Sequence, residues 1–168
     1  MSNQHQPMSF SIETERLSLR LRGPEDTECT LRVLGERDGG TTATFADVRG
    51  SLIRQRVRAM EDGFGLLSVR RRAEQDRIGY CGLIVGRGSF DEPEIAYELL
   101  RSAQGQGYAT EAARAVVEAA FATGRRRLWS TVRVWNQPSF RVLEKIGFHR
   151  HHSICDERGE LVYLMRDA

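Results

Sequence analysis

One stretch of this chain leaves little freedom in how it can fold. Residues 94–100, Glu-Ile-Ala-Tyr-Glu-Leu-Leu, read as a short strand. A brief linker leads to Gln104-Gly-Gln-Gly-Tyr-Ala-Thr-Glu111, after which the apolar period becomes helical. Ala109, Ala112, Ala113, Val116 and Ala120 share one face, and Gly124 closes the helix. Glycines between a strand and a helix let main-chain N–H groups come close to an anion, and the helix N-terminus adds its dipole. Such a turn suits a diphosphate.

The same residues narrow down which diphosphate. Gly105-Gln106-Gly107 supplies part of a dinucleotide fingerprint, but Thr110 stands where the third glycine or alanine belongs. No acid follows the next strand, where Trp135 and Asn136 stand instead, so the dinucleotide reading fails its own test. A Walker loop would need Gly-Lys-Ser or Gly-Lys-Thr. Ser139 lacks the G-x-S-x-G setting of a hydrolase nucleophile.

The rest of the chain supports one α/β domain. Leu17, Leu19 and Leu21 alternate with Ser18, Arg20 and Arg22, as in a half-buried strand. Pro24-Glu25-Asp26 opens a first helix, and Gly39-Gly40 interrupts the chain. Ser51 is expected to cap a second helix that carries Ile53, Val57 and Met60 on one face. Residues 64–69 and 78–85 form a hairpin around Ala73-Glu74-Gln75-Asp76; 128–134 is a strand and 138–146 a short helix. Residues 148–154 and 161–165 close the domain as a second hairpin around Asp156-Glu157-Arg158-Gly159. The expected order is β-α-α-β-β-β-α-β-α-β-β around a mixed sheet. Residues 1–8 read as a loose tail and 9–168 as the domain.

Composition sets outer limits. With 168 residues, 40% hydrophobic and 29% charged, the chain can bury a core as a globular protein. No apolar run approaches the ~20 residues of a membrane span, and the polar start has no secretory h-region. A net charge of +2 gives no reason to expect a nucleic-acid partner. Three widely spaced cysteines, Cys29, Cys81 and Cys155, fit a reducing cytoplasm and offer no zinc spacing. His149, His151 and His152 would still need a carboxylate to hold a metal, and a polar strand face explains them as well, so no metal is expected. Lys145 is the only lysine and sits where a helix C-terminus favours a cation.

Taken together, Gln104-x-x-Gly107-x-Ala109 resembles the acyl-CoA motif of the GNAT acetyltransferase superfamily. Asn136-Gln-Pro-Ser139-Phe-Arg-Val-Leu-Glu-Lys145-Ile-Gly147-Phe148 is similar to its branch of ribosomal-protein N-terminal acetyltransferases, as are Thr14-Glu-Arg-Leu17, Pro24-Glu-Asp26 and Ile78-Gly79. The likeness runs over about residues 9–168. It implies a single-domain fold: a mixed, mostly antiparallel seven-stranded sheet with about four helices, splayed between strands 4 and 5 to admit coenzyme A. It implies acetyl-CoA as co-substrate, held by Gln104, Gly105, Gln106, Gly107, Tyr108, Ala109 and Thr110. The backbone of Leu99 and Leu100 would pair with the pantetheine arm, and Asn136 would hydrogen-bond it. Family members are often dimers, which leaves a homodimer open.

Acetyl transfer to a primary amine needs a neutral nucleophile, a stabilised oxyanion and a protonated thiolate. Glu98 is the candidate base, with a solvated strand residue as the plain alternative; many relatives carry tryptophan there. Ser139 is the candidate partner of the thiolate, with a helix-capping role as the alternative. Asn136 could equally be a cap. Arg70-Arg71-Arg72 and Arg125-Arg126-Arg127 are both open as partners of the coenzyme 3′-phosphate. Arg54, Arg56 and Arg58 read as a solvated helix face, or as a hint of an anionic acceptor. The acceptor could be a protein N-terminus or a small-molecule amine. The competing readings are a non-catalytic acyl-CoA-binding regulatory module and a nucleotide-binding α/β domain.

Overall fold

The computed structural model describes residues 5–168. Strands β1 (Ser11–Glu13) and β2 (Leu17–Leu21) precede helices α1 (Thr27–Gly35) and α2 (Phe45–Asp62). Then come β3 (Leu66–Arg71), β4 (Arg77–Ile84), β5 (Glu94–Leu99), α3 (Tyr108–Ala122), β6 (Arg127–Arg133), α4 (Gln137–Lys145), β7 (His149–Asp156) and β8 (Gly159–Asp167). They build one eight-stranded sheet in the order β1-β2-β3-β4-β5-β6-β8-β7. The additional strand is β1, three residues long, which pairs with β2 at the sheet edge. The expected splay therefore falls between β5 and β6. This parallel pair has a single register point, Glu94 opposite Trp129, while every other neighbour is antiparallel.

Period two assigns the two faces of the sheet. Leu19, Val69, Leu67, Cys81, Leu83, Ile95 and Leu99 share one buried cluster with Ala112, Ala113, Val116, Val117 and Ala120 of α3. Small side chains let α3 lie close to the strands. The opposite face carries the cross-strand row Arg20, Ser68, Tyr80 and Glu98. Here α1 covers the sheet: Cys29 and Val33 pack with Leu100 and Tyr80, and buried Asp26 binds Ser68 and Arg77.

The second helix departs from the sequence expectation. Thr44 caps it, in a reciprocal box with Asp47, so it starts at Phe45 and Ser51 lies inside it. Its buried residues are Val48, Leu52 and Ala59. Ile53, Val57 and Met60 do share a face, but that face is exposed. Periodicity finds a stripe and does not say which stripe the sheet takes. The described part of the expected tail, residues 5–8, lies along the domain: Gln6 N–H donates to Thr123, Met8 N–H donates to Gly63, and Met8 is buried.

Every residue of β7 is exposed, and the strand bulges between Arg150 and His152. His152 stacks on Tyr163, with ring centroids 4.3 Å apart, and His151 meets the edge of Trp129. Among the described residues no group of three His, Cys, Asp or Glu could hold a metal ion.

The tight α3–sheet contact predicts that Ala113→Leu lowers Tm by about 2–10 °C, from an overpacking cost of about 1–3 kcal/mol. Arg114→Lys, on the exposed side of the same turn, should shift Tm by less than about 2 °C. Thermal unfolding followed by circular dichroism checks both.

Candidate active site

Where β5 and β6 part, main-chain groups are left facing a gap. Ile95 C=O accepts from Ser130 Oγ at 3.4 Å, and Leu99 C=O accepts from Gln104 Nε2 at 3.0 Å. Period two then turns the N–H and C=O of Tyr97, and the N–H of Leu99, toward the same gap. Leu100 is placed differently: its N–H donates to Ile78 C=O at 2.8 Å, and its side chain packs beside Cys29 and Val33.

The gap opens into a cleft of about 490 Å3. Leu99, Gln104, Gly105, Gly107, Tyr108, Ala109, Thr110, Asn136 and Ser139 all reach its wall, as does Glu98. Gln106 does not; its side chain returns to Ser102 C=O, and its own carbonyl accepts from Arg16. Gly105 and Gly107 have φ of 76° and 82°, a region that side chains rarely tolerate, and Gly107 is the N-cap of α3. The loop amides and the first turn of α3 thus have the geometry of a helix start that can take an anion.

A clamp fixes that loop. Arg16 donates through Nε to Glu111 at 2.7 Å and through Nη1 to Gln106 C=O at 2.8 Å, and it lies 4.4 Å from the Tyr108 ring centroid. The Glu111 carboxylate also accepts from Thr14 Oγ1 at 2.6 Å and from the Arg16 N–H at 2.8 Å. The sequence shows these residues separately; their meeting depends on β2 lying beside α3.

Asn136 caps α4, its Oδ1 accepting the Ser139 N–H at 3.4 Å. Among the described residues the Ser139 hydroxyl has no hydrogen-bond partner, and its carbonyl accepts from Tyr97 Oη at 3.2 Å across the gap. Arg141 and Lys145, one helical turn apart on α4, line the cleft without an ion pair among the described residues. Lys145 thus borders the cleft while sitting in the last turn of α4. Of the two arginine triplets, Arg70 and Arg72 border a hollow that shares Tyr108 with the cleft. Arg125–Arg127 lie past the far end of α3, roughly 22 Å of helix away.

Glu98 faces the α1 side of β5. Arg37 binds its carboxylate through Nε and Nη2, and Tyr80 Oη donates at 3.1 Å. Three of these contacts fall on Oε2, while Oε1 accepts only from Arg37 Nε, so Oε1 keeps one acceptor position for another donor. Burial and the Glu98 charge push the Tyr80 phenol up to about 12, which keeps it a donor at neutral pH.

On that same face lies a second cavity, of about 400 Å3, lined by Glu94, Ala96, Thr131, Arg133, Arg87 and Arg158 among others. It meets the cleft at Tyr97, Asn136 and Ser139, which line both. Sequence reasoning missed Glu94, which is buried and accepts from Arg87 N–H at 2.5 Å and Thr131 Oγ1 at 3.1 Å. Its position four residues before Glu98, on the same strand face, was the available signal. Arg54, Arg56 and Arg58 line neither cavity; Arg56 binds Glu25 and the chain at Leu21 and Arg22.

The acetyltransferase (GNAT) domain family matches residues 16–149. The uncharacterized N-acetyltransferase p20 of Bacillus licheniformis is 24% identical over 155 residues, covering 87% of this chain and 86% of that protein. The ribosomal-protein-S5-alanine acetyltransferase of Vibrio fischeri superposes with a TM-score of 0.77 at 18% identity, over 95% of this chain and 97% of that one. Aminoglycoside acetyltransferase AAC(6')-Ib, solved in complex with coenzyme A, gives 0.73 at 24% identity over 90% and 94%. At these identities the two structural likenesses bear on the fold.

The clamp generates a prediction with a definite sign. Burial raises the Glu111 pKa, but the Thr14 hydroxyl, the Arg16 N–H and the Arg16 guanidinium outweigh it and hold the carboxyl below its ordinary 4.5. A depressed folded value adds stability that is fully present above the unfolded value and lost as pH falls through the folded one. Glu111→Gln should therefore lower Tm by about 2–4 °C at pH 7. Scans at lower pH should show the gap between variant and parent closing below about pH 4.5.

Proposed function

The chain belongs to the GNAT acetyltransferase domain family, and on that premise we propose that it moves an acetyl group from acetyl-CoA to a primary amine by direct attack. The carrying observation is the pair of cavities that meet at Tyr97, Asn136 and Ser139. One is bounded by the glycine loop and the unpaired edge of β5, and suits the coenzyme. The other, lined from β5, β6 and the turns before β5 and β8, suits the acceptor. A module that only bound acyl-CoA would have no use for the second chamber.

Each group then has a task. Amides of 105–109 and the α3 dipole hold the pyrophosphate, with Arg141 and Lys145 adding positive charge along the cleft. The free main-chain groups of Tyr97 and Leu99 pair with the pantetheine arm, and one of their N–H groups receives the oxyanion. The amine lone pair attacks the thioester carbon, the C–S bond breaks, and the thiolate leaves. Glu98 takes the amine proton, directly or through a water at its remaining acceptor position. The Ser139 hydroxyl donates to the departing sulfur at the N-terminus of α4, where the helix dipole also favours negative charge. Free Cys29, Cys81 and Cys155 fit a cytoplasmic site for this chemistry. No helix among the described residues is long and apolar enough to cross a membrane.

Glu98→Gln should reduce kcat/KM by about 100-fold, and Ser139→Ala should reduce kcat by about 10-fold. Both should leave acetyl-CoA affinity within about threefold, since neither removes a phosphate contact. Thiol-release kinetics with calorimetric titration of acetyl-CoA measures these quantities. Failure of the parent protein to bind acetyl-CoA would defeat the proposal. Unchanged turnover in both variants would remove their assigned roles.

A further inference from the structure

The charge of the second cavity specifies its occupant more closely. Its wall carries three guanidinium groups, Arg87, Arg133 and Arg158, against one carboxylate, Glu94. Arg133 is neutralised by Asp156, through two bonds of 2.8 Å. Arg87 and Arg158 make no ion pair among the described residues. Glu94 is buried and already serves the Arg87 N–H and the Thr131 hydroxyl. Among the described residues Glu94 is the one carboxylate on the wall, buried and held by two neutral donors, while Arg87 and Arg158 stand exposed on the same concave wall without a salt bridge, leaving two guanidinium charges against one carboxylate. Guanidinium groups bind carboxylates through paired hydrogen bonds, and a concave wall of one sign strengthens the attraction.

Resting on the transferase reading above, we propose that the acceptor is an amino-carboxylate: a primary amine whose own molecule carries a carboxylate that Arg87 and Arg158 bind. The amine must reach the meeting point at Tyr97 and Ser139 to attack the thioester. Arg87 joins the wall at the level of Glu94, three strand residues before Tyr97, or about 10 Å. Arg133, from β6, and Arg158, from the turn between β7 and β8, bring the other cations to the same chamber. Free amino acids and the N-termini of short acidic peptides share this chemistry. Polyamines and aminoglycosides oppose it, because their charges repel the wall.

The test uses the full chain with acetyl-CoA and matched acceptors that differ only in charge: free amino acids against their amides, and short acidic peptides against their neutral amide counterparts, with spermidine and kanamycin as polycations. The two matched series separate the sources. For the better series, kcat/KM of the acid should exceed that of the amide at least about tenfold, mainly through KM, and the polycations should fall below the amide. Arg87→Gln and Arg158→Gln should each cut the acid-to-amide ratio at least about threefold. Arg158→Lys should recover part of the ratio, since it keeps the charge and loses the fork. A merely structural role would lower acid and amide turnover together and leave the ratio unchanged, which overturns the proposal. So does a preference for polycations, or acetyl-CoA binding with no amino-carboxylate acetylated; in both cases the coenzyme cleft stands. Absence of acetyl-CoA binding would instead remove the transferase reading itself, and this proposal with it.

Discussion

The molecule depends on a place where a hydrogen-bonded ladder stops. β5 and β6 touch at Glu94 and Trp129 and then part, although both are strands of one sheet. A parting of this kind leaves main-chain donors and acceptors without strand partners, a serious cost in a protein interior. The fold limits the cost by using some of them locally, at Ser130 and the Gln104 side chain, and exposing the rest to a cleft that an extended ligand can fill. The unpaired edge and the glycine turn are consecutive in sequence. One segment therefore sets both the slot and its anion anchor.

The two sides of the sheet have different chemistry for a physical reason. On the α3 side, alanine and valine bury themselves completely and keep a flat, dry contact. On the α1 side, the row Arg20, Ser68, Tyr80 and Glu98 is polar, and its partners include Arg22 and Asp26 from the segment before α1 and Arg37 from the segment after it. The first side supplies rigidity. The second supplies charged groups held by hydrogen bonds and still reachable from solvent.

Much of this was legible in the residues. The strand, glycine turn and alanine stripe of 94–121 announced the cleft, because each depends on local rules: period, left-handed φ and helix capping. What escaped depended on contacts distant in sequence. The α2 stripe Ile53, Val57 and Met60 obeys helical spacing, yet the sheet takes Val48, Leu52 and Ala59 instead. Three residues of β1 are too few for a periodic signal. The pairing of Glu98 with Arg37 joins positions 61 apart, and the clamp of Glu111 joins it to Arg16, 95 positions away. The family resemblance implies that Leu100 joins Leu99 along the pantetheine arm, but alternation turns its N–H the other way, toward Ile78, and its side chain packs by Cys29 and Val33.

The bond from the Tyr97 phenol to the Ser139 carbonyl spans the parting from one bank to the other. It acts as a strut of fixed length between β5 and α4. Since the serine hydroxyl and the strut's far end belong to the same residue, the width of the opening and the placement of that hydroxyl are one variable. Anything bulky that forced the banks apart would therefore displace that hydroxyl as it widened the opening, so the size of what enters and the position of one polar group are mechanically joined.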